Sequence, residues 1–344
     1  MKPEKLSLNG DAMLRTPLCD LLEIELPIIQ APIGSATCPE LVAAVSNSGA
    51  LGMLSVTWRQ LEEIRALLNQ TRALTPKPFG INLVLDKDVH DKLEICLEEG
   101  VKIVSLFWGA PHSYIKIAHQ AGAIVMHSVG SVFEAKEAKS AGAEVIVAQG
   151  WEAGGHVRGT VSTLTLVPAV VDAVAPTPVV AAGGIADGRG IAAVLALGAS
   201  AAWLGTRFVA SNEALAHHTY KQELLAAGVE DTVYSTLFDV GWENAPHRFL
   251  RNSTYDSWEQ AGCPPSGKRP NEGEVIAHKS DGTPVPRYSS SMPLETMQGE
   301  VEGLVHYAGQ SAGLVKDIRP AAEIVQRLKW ETEQVFAKWI IAEK

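Results

Sequence analysis

One junction repeated four times, eight short apolar runs at βα spacing and two late glycine-rich strand ends predict a (β/α)8 TIM barrel with a smaller C-terminal lid or second domain. In each copy of the junction a helical pattern stops at Gly and a strand-like run begins at once. The copies are Gly100-Val101-Lys102-Ile103-Val104, Gly122-Ala123-Ile124-Val125-Met126, Gly142-Ala143-Glu144-Val145-Ile146 and Gly198-Ala199-Ser200-Ala201-Ala202. Glycine can close a helix in the left-handed conformation, and an unbroken apolar run suits a strand buried on both faces. The first three copies begin at 100, 122 and 142, which leaves room for one strand, one helix and two short loops per unit.

Extending this pattern places strands at 27–30, 51–55, 79–83, 103–107, 123–127, 145–148, 178–182 and 201–205. Seven segments of helical period lie between them, among them 39–48, 61–69, 131–141 and 187–197, the last opened by Asp187 as N-cap. An open doubly wound sheet has similar local patterns, and the count of eight favours the closed barrel. Beyond Phe208, residues 213–227 read as helix, 240–293 as a Pro-, Gly- and Ser-rich lid over the barrel mouth, and 294 onward as helix again, interrupted at 307–313 and ending in an amphipathic helix over 320–342. The expected division is a barrel over 15–212, a lid or small domain over 213–295, and C-terminal helices over 296–344 that return to the barrel.

With 39 acidic against 29 basic residues the chain carries a net charge of −10, which repels phosphate backbones and argues against a nucleic-acid partner. The N-terminal residues lack an apolar leader, and the most apolar stretch, 191–205, reads as a buried helix running into a buried strand. A cytoplasmic protein with no membrane contact is expected. Cys19, Cys38, Cys96 and Cys263 form no C-x-x-C pair, so neither a zinc site nor any other metal site is expected.

A barrel enzyme builds its active site at the carboxyl ends of the strands and commonly holds phosphate after the seventh and eighth. Here those two strands end in Ala182-Gly183-Gly184-Ile185 and Gly205-Thr206-Arg207-Phe208. Glycine lets backbone N–H groups approach phosphate oxygens, a helix N-terminus adds a favourable field, and Thr206 offers a hydroxyl. The nearby Gly188-Arg189-Gly190-Ile191-Ala192-Ala193 imitates a dinucleotide fingerprint but sits too late in the chain to be one. After the sixth strand comes Gln149-Gly150-Trp151-Glu152-Ala153-Gly154-Gly155-His156, where a glycine loop admits a planar ligand and His156 can serve as base or anion partner. Glu152 and Arg158 are weaker candidates for that role or only braces of the loop. Pro32 and Ile33 follow the first strand, and Asn82, Ser128 and Gln149 stand at strand ends where side chains can satisfy ring nitrogens and carbonyls. Phe107, Trp108 and Trp151 are either core or pocket walls; His217, His218, His247 and His278 read as surface or packing residues.

Together, Gln30-Ala31-Pro32-Ile33-Gly34, the 148–156 loop, Ala181 to Gly188, Gly205-Thr206-Arg207-Phe208 and Tyr307-Ala308-Gly309-Gln310-Ser311-Ala312-Gly313-Leu314 resemble the nitronate monooxygenase family, also called 2-nitropropane dioxygenases. The resemblance spans about residues 27–315. It implies FMN as cofactor, with Gly183, Gly184, Gly205 and Thr206 at its phosphate, Pro32, Ile33, Asn82, Ser128, Gln149 and Gly154 at other contacts, and His156 as the catalytic histidine. Ser128 departs from the Gln or Lys common at that position. The implied reaction oxidises an alkyl nitronate, or its nitroalkane, with O2 to a carbonyl compound and nitrite, a nitroalkane detoxification; assembly as a homodimer is left open. NAD(P)H-dependent enoyl-ACP and quinone reductases carry a similar loop and supply the alternative reading, and a non-enzymatic flavin carrier would need the glycines without His156.

Overall fold

The computed structural model describes residues 14–338. The reading of a leaderless N-terminus over 1–13 and the last turn of the helix expected to reach 342 lie outside the described residues. Eight parallel strands form the barrel: β1 (Ile28–Gln30), β2 (Gly52–Ser55), β3 (Phe79–Val84), β4 (Ile103–Phe107), β5 (Ile124–Val129), β6 (Val145–Gln149), β8 (Val179–Ala182) and β9 (Ala201–Leu204). Their order is β1-β9-β8-β6-β5-β4-β3-β2, and a parallel bridge from Ile29 to Leu51 joins the two ends. Gln30 N–H donates to Leu51 O at 2.9 Å and Leu51 N–H to Ile28 O at 3.0 Å, so the cylinder has no free edge there. β7 (Gly155–His156) lies outside the barrel.

Seven helices alternate with these strands: α2 (Pro39–Asn47), α3 (Leu61–Leu74), α4 (His90–Glu98), α5 (His112–Gln120), α6 (Val132–Ala141), α7 (Thr163–Val174) and α8 (Gly188–Ala196). The repeated glycine junction closes four of them in the same way. Gly100, Gly122, Gly142 and Gly198 all have φ between 68° and 105°. In each, the glycine N–H and the next N–H reach back to two carbonyls of the last turn, as in Gly100 N–H to Leu97 O at 2.9 Å and Val101 N–H to Cys96 O at 3.0 Å. This double bond pattern satisfies orphan carbonyls and turns the chain directly into a strand. Asp187 caps α8 through Arg189 N–H at 2.9 Å and Gly190 N–H at 3.2 Å.

Strand side chains alternate between an inner cluster, including Ile29, Met53, Met126, Val147 and Trp203, and an outer layer packed on the helices. α1 (Pro17–Leu22) adds Leu18, Cys19 and Leu22 to the inner cluster and so plugs the amino-terminal end. The cavity described below lies at the other end. No helix among the described residues is long and apolar enough to cross a membrane.

After β9 come α9 (Thr206–Val209), α10 (His218–Ala226), β10 (Thr232–Ser235), β11 (His247–Leu250), α11 (Ser253–Gln260), β12 (Val275–His278), β13 (Pro284–Pro286), β14 (Gln298–Gly299) and α12 (Ala321–Ala337). The helix expected from 213 starts only at His218, because residues 212–217 spend their amides on distant carbonyls, as in Leu215 N–H to Ala36 O at 2.9 Å. The 240–293 stretch supplies β11, β12 and β13 to two small antiparallel sheets, β10-β11-β7 and β13-β12-β14, the second over a core of Ile276, Ala277, Val285 and Leu304. Helix was also expected from 294, yet before α12 only two 3-10 turns form, Val301–Gly303 and Gln310–Leu314. Tertiary bonds replace helical ones there, such as Gln310 N–H to Glu152 O at 3.0 Å.

Candidate active site

The inward side chains at the carboxyl ends of the strands, Asn82, Phe107, Ser128, Gln149 and Trp203, form the floor of a cavity of about 890 Å³. Pro32, Ile33, Gly154, His156, Gly183, Gly184, Gly205 and Thr206 line the same cavity. Every position singled out from the sequence as catalytic or cofactor-binding is therefore in one place. Their roles rest on the chemistry argued below.

Gly183 and Gly184 leave β8 with φ of 106° and 70°, in the left-handed region that side chains disfavour. A Cβ on Gly183 would lie 2.9 Å from Thr163 Oγ1 and 3.0 Å from Gly150 O, so the exit is packed from behind and open only towards the cavity. Thr206 Oγ1 accepts the Gly309 N–H at 3.0 Å, which fixes the hydroxyl and leaves its own proton to donate. The N-terminus of α8, expected to add its field, is already used: Asp187 caps it, and Gly188 N–H donates to Glu331 at 3.0 Å. Gly188 faces α12 instead, since a Cβ there would meet Thr332 N at 2.3 Å, and Gly190 packs on Ile185.

Glu152 and Arg158 brace, as the sequence suggested. Glu152 accepts from Thr163 N–H at 2.9 Å and from its hydroxyl at 3.0 Å, and Arg158 pairs with Glu134 at 3.2 Å. Gly154 is there because the chain at 308–309 passes through the space a side chain would take; a Cβ would stand 2.4 Å from Gly309 N. Gln149 Nε2 donates to His156 O at 3.1 Å, and Asn82 Nδ2 to Ser105 Oγ at 3.2 Å. Trp151 proves to be a support, lying 4.3 Å beneath the buried Arg248 guanidinium, whereas Phe107 lines the cavity.

His156 occupies β7, which pairs antiparallel with β11 so that His156 stands opposite His247. Its ring is half-buried, stacked on Trp242 at 3.8 Å and tilted against Tyr307 at 5.4 Å. Burial pushes the imidazole well below its ordinary range, and the neighbouring His247 adds to the effect, so His156 is neutral. Its Nε2 is buried and has no hydrogen-bond partner. A buried unpaired nitrogen is costly, and such sites mark reserved function. His247 itself is held at about 4 by burial; its Nδ1–H donates to Ala245 O at 2.9 Å and its Nε2 accepts from Phe238 N–H at 3.4 Å. Packing is thus its role, but directly behind His156. Sequence reasoning missed Trp58, Trp242 and Met292, which line the cavity from loops with no local motif.

Fold and cavity together define a barrel enzyme with its active site at the carboxyl face. A profile of the nitronate monooxygenase family matches residues 15–92 and 88–331, and the chain belongs to that family. It is accordingly an oxidoreductase. It is 33% identical to a nitronate monooxygenase of Paraburkholderia phytofirmans over 92% of this chain and 95% of the relative. It is 39% identical over 72% of this chain to a Mycobacterium tuberculosis protein, of which 69% is covered, named (3aS,4S,5R,7aS)-5-hydroxy-7a-methyl-1-oxo-octahydro-1H-indene-4-carboxyl-CoA dehydrogenase. Among solved structures, FabK from Thermotoga maritima is similar with a TM-score of 0.79 at 32% identity, over 95% of this chain and 98% of FabK.

Proposed function

We propose that this chain is an FMN-dependent oxidase of alkyl nitronates and nitroalkanes that uses O2 and releases a carbonyl compound and nitrite, with residues 213–295 acting as a lid. The residues present fit FMN: Gly183 at the exit of β8 has no room for a side chain, and the free Thr206 proton suits a phosphate oxygen. Gly183, Gly184, Gly205 and Thr206 would hold the phosphate; Pro32, Ile33, Asn82, Ser128, Gln149 and Gly154 would contact the remainder. When bound, the flavin supplies the electron transfer between substrate and oxygen.

The observation that carries the reading is the neutral, unpartnered His156 in the same cavity as the glycine cradle. A neutral imidazole can accept the Cα proton of a nitroalkane, and afterwards, as a cation, hold the nitronate oxygens. Gln149 fixes the His156 backbone while it does so. Trp242 and Tyr307 keep water from its ring.

Replacing His156 by Asn keeps a hydrogen-bonding group but removes the proton acceptor. FMN content is expected to persist, while kcat/KM with a nitroalkane falls on the order of 10²-fold and falls less with the preformed nitronate. Equal losses on both would point to anion binding alone, and unchanged activity on both would remove His156 from the mechanism.

The dehydrogenase relative favours a second reading, an NAD(P)H-dependent flavin oxidoreductase of the quinone or enoyl-ACP reductase type. Anaerobic mixing with NADH or NADPH separates the two. Rapid bleaching of the flavin absorbance supports the reductase, and its persistence supports the monooxygenase.

A further inference from the structure

Three tryptophans converge on His156 from three separate elements. Trp242, in the β10–β11 connection, lies nearly parallel to the imidazole, with 3.8 Å between centroids and 30° between planes. Trp108, just after β4, meets the Trp242 ring edge-on at 5.3 Å and His156 at 6.2 Å. Trp58, after β2, stands 5.8 Å from Trp242 at the rim, 43% exposed. His156, Trp108 and Trp58 thus enclose one flat ring, and that ring is an indole of the chain itself.

Two features mark this box as more than packing. Trp108 has φ of +64°, a conformation that a bulky aromatic rarely adopts, and Gly109 follows at +60° with Leu85 O only 2.5 Å from where a Cβ would lie. The backbone therefore holds the Trp108 ring in place at a cost, as happens where geometry serves binding. Arg158 covers that ring at 5.2 Å and is tied in turn to Glu134. The indole of Trp242, by contrast, leaves the buried His156 Nε2 without a partner. The stack on His156 is thus apolar and replaceable, and a flat ring that carries a hydroxyl donor, unlike the indole, would also satisfy the nitrogen.

We propose that this box is a substrate subsite for a flat, apolar ring, and that Trp242 keeps its place until such a ring displaces it. The inference rests on the reading of His156 as the group that meets the substrate, and it narrows that substrate from short nitroalkanes to compounds with an aromatic body. Flat rings gain from offset and edge-on contacts that a puckered ring of equal size cannot make.

The test uses FMN-saturated protein and equilibrium dialysis with 2-naphthol and its saturated counterpart decahydro-2-naphthol. The flat ring is expected to bind about tenfold more tightly, and to raise the KM for ethyl nitronate without lowering kcat. Trp58→Ala should weaken 2-naphthol several-fold and hardly move the saturated ring. Trp242→Ala should tighten 2-naphthol by removing its competitor, with Trp242→Leu as substitute if the alanine variant does not fold. Equal affinity for the two rings, or equal weakening of both in Trp58→Ala, overturns the subsite. If ethyl nitronate is not turned over at all while dialysis still shows the Trp58-dependent preference, the subsite stands and the nitronate reading falls.

Discussion

At the scale of single residues, the proposed phosphate cradle makes the sharpest demand. Gly183→Asp would force a side chain into the left-handed region, against Thr163 and Gly150, and set a negative charge beside the phosphate. Loss of flavin from the purified variant is the expected outcome, read by absorbance after gel filtration. Because such a change also strains the fold, Thr206→Val serves as the gentler probe. Its hydroxyl proton is the one donor already oriented by Gly309, and losing a hydrogen bond to a charged group should weaken FMN binding by roughly tenfold or more. Unaltered FMN affinity in Thr206→Val would take the phosphate away from this end of the cavity. Gly183 was legible as a strand exit because a strand that must expose bare backbone has only glycine to do it with, and the requirement is local, whereas Thr206 was marked only by its place at the end of the next strand. Trp242 was not legible. Its contact with His156 spans most of a hundred residues and depends on a loop that carries no periodicity.

Among elements, the contrast is between those built from neighbours in sequence and those built by closure. The barrel units could be read because each helix end, strand and loop obeys local rules, and the four glycine closures repeat one hydrogen-bond pattern. The segment 294–320 misled because its apolar spacing resembles a helix while its amides are claimed elsewhere. Gly299, at φ +123°, pairs in β14, and the 307–314 stretch wedges between the β6 exit loop and Thr206. That wedge is a contact of backbone on backbone. Gly154→Ala would press a methyl to 2.4 Å from Gly309 N and 2.6 Å from Ala308 C, neither of which can rotate away. Overpacking of this kind costs about 1–3 kcal/mol, and it should appear as a lower urea midpoint together with weakened flavin retention. A variant as stable as the parent would mean that the 308–310 segment yields more easily than its hydrogen bonds to Thr206 and Glu152 suggest.

For the molecule as a whole, three histidines whose imidazoles burial holds low shape the response to mild acid. Burial holds His127 and His247 at about 4 and His156 well below its ordinary value of 6.5. Above pH 6.5 both folded and unfolded chains carry them neutral, so they add no pH dependence. As pH falls through 6.5, the unfolded chain takes up protons that the folded chain refuses, and stability declines until the folded values are reached. By pH 5 the loss amounts to about 2 kcal/mol for each such histidine. Urea midpoints should therefore drop between pH 7 and pH 5, and His127→Gln, on the outer face of β5 and not among the residues that line the cavity, should flatten that slope by about one proton; an unchanged slope would contradict the assignment. The pairing of β7 with β11 has a further consequence, in the order of synthesis. A chain leaving the ribosome has its barrel ladder complete at residue 204, yet His156 gains its strand partner only with residue 247, and Gly154 its neighbour only with residue 309. The nascent barrel can close, but its histidine waits for the last third of the chain to be set in register.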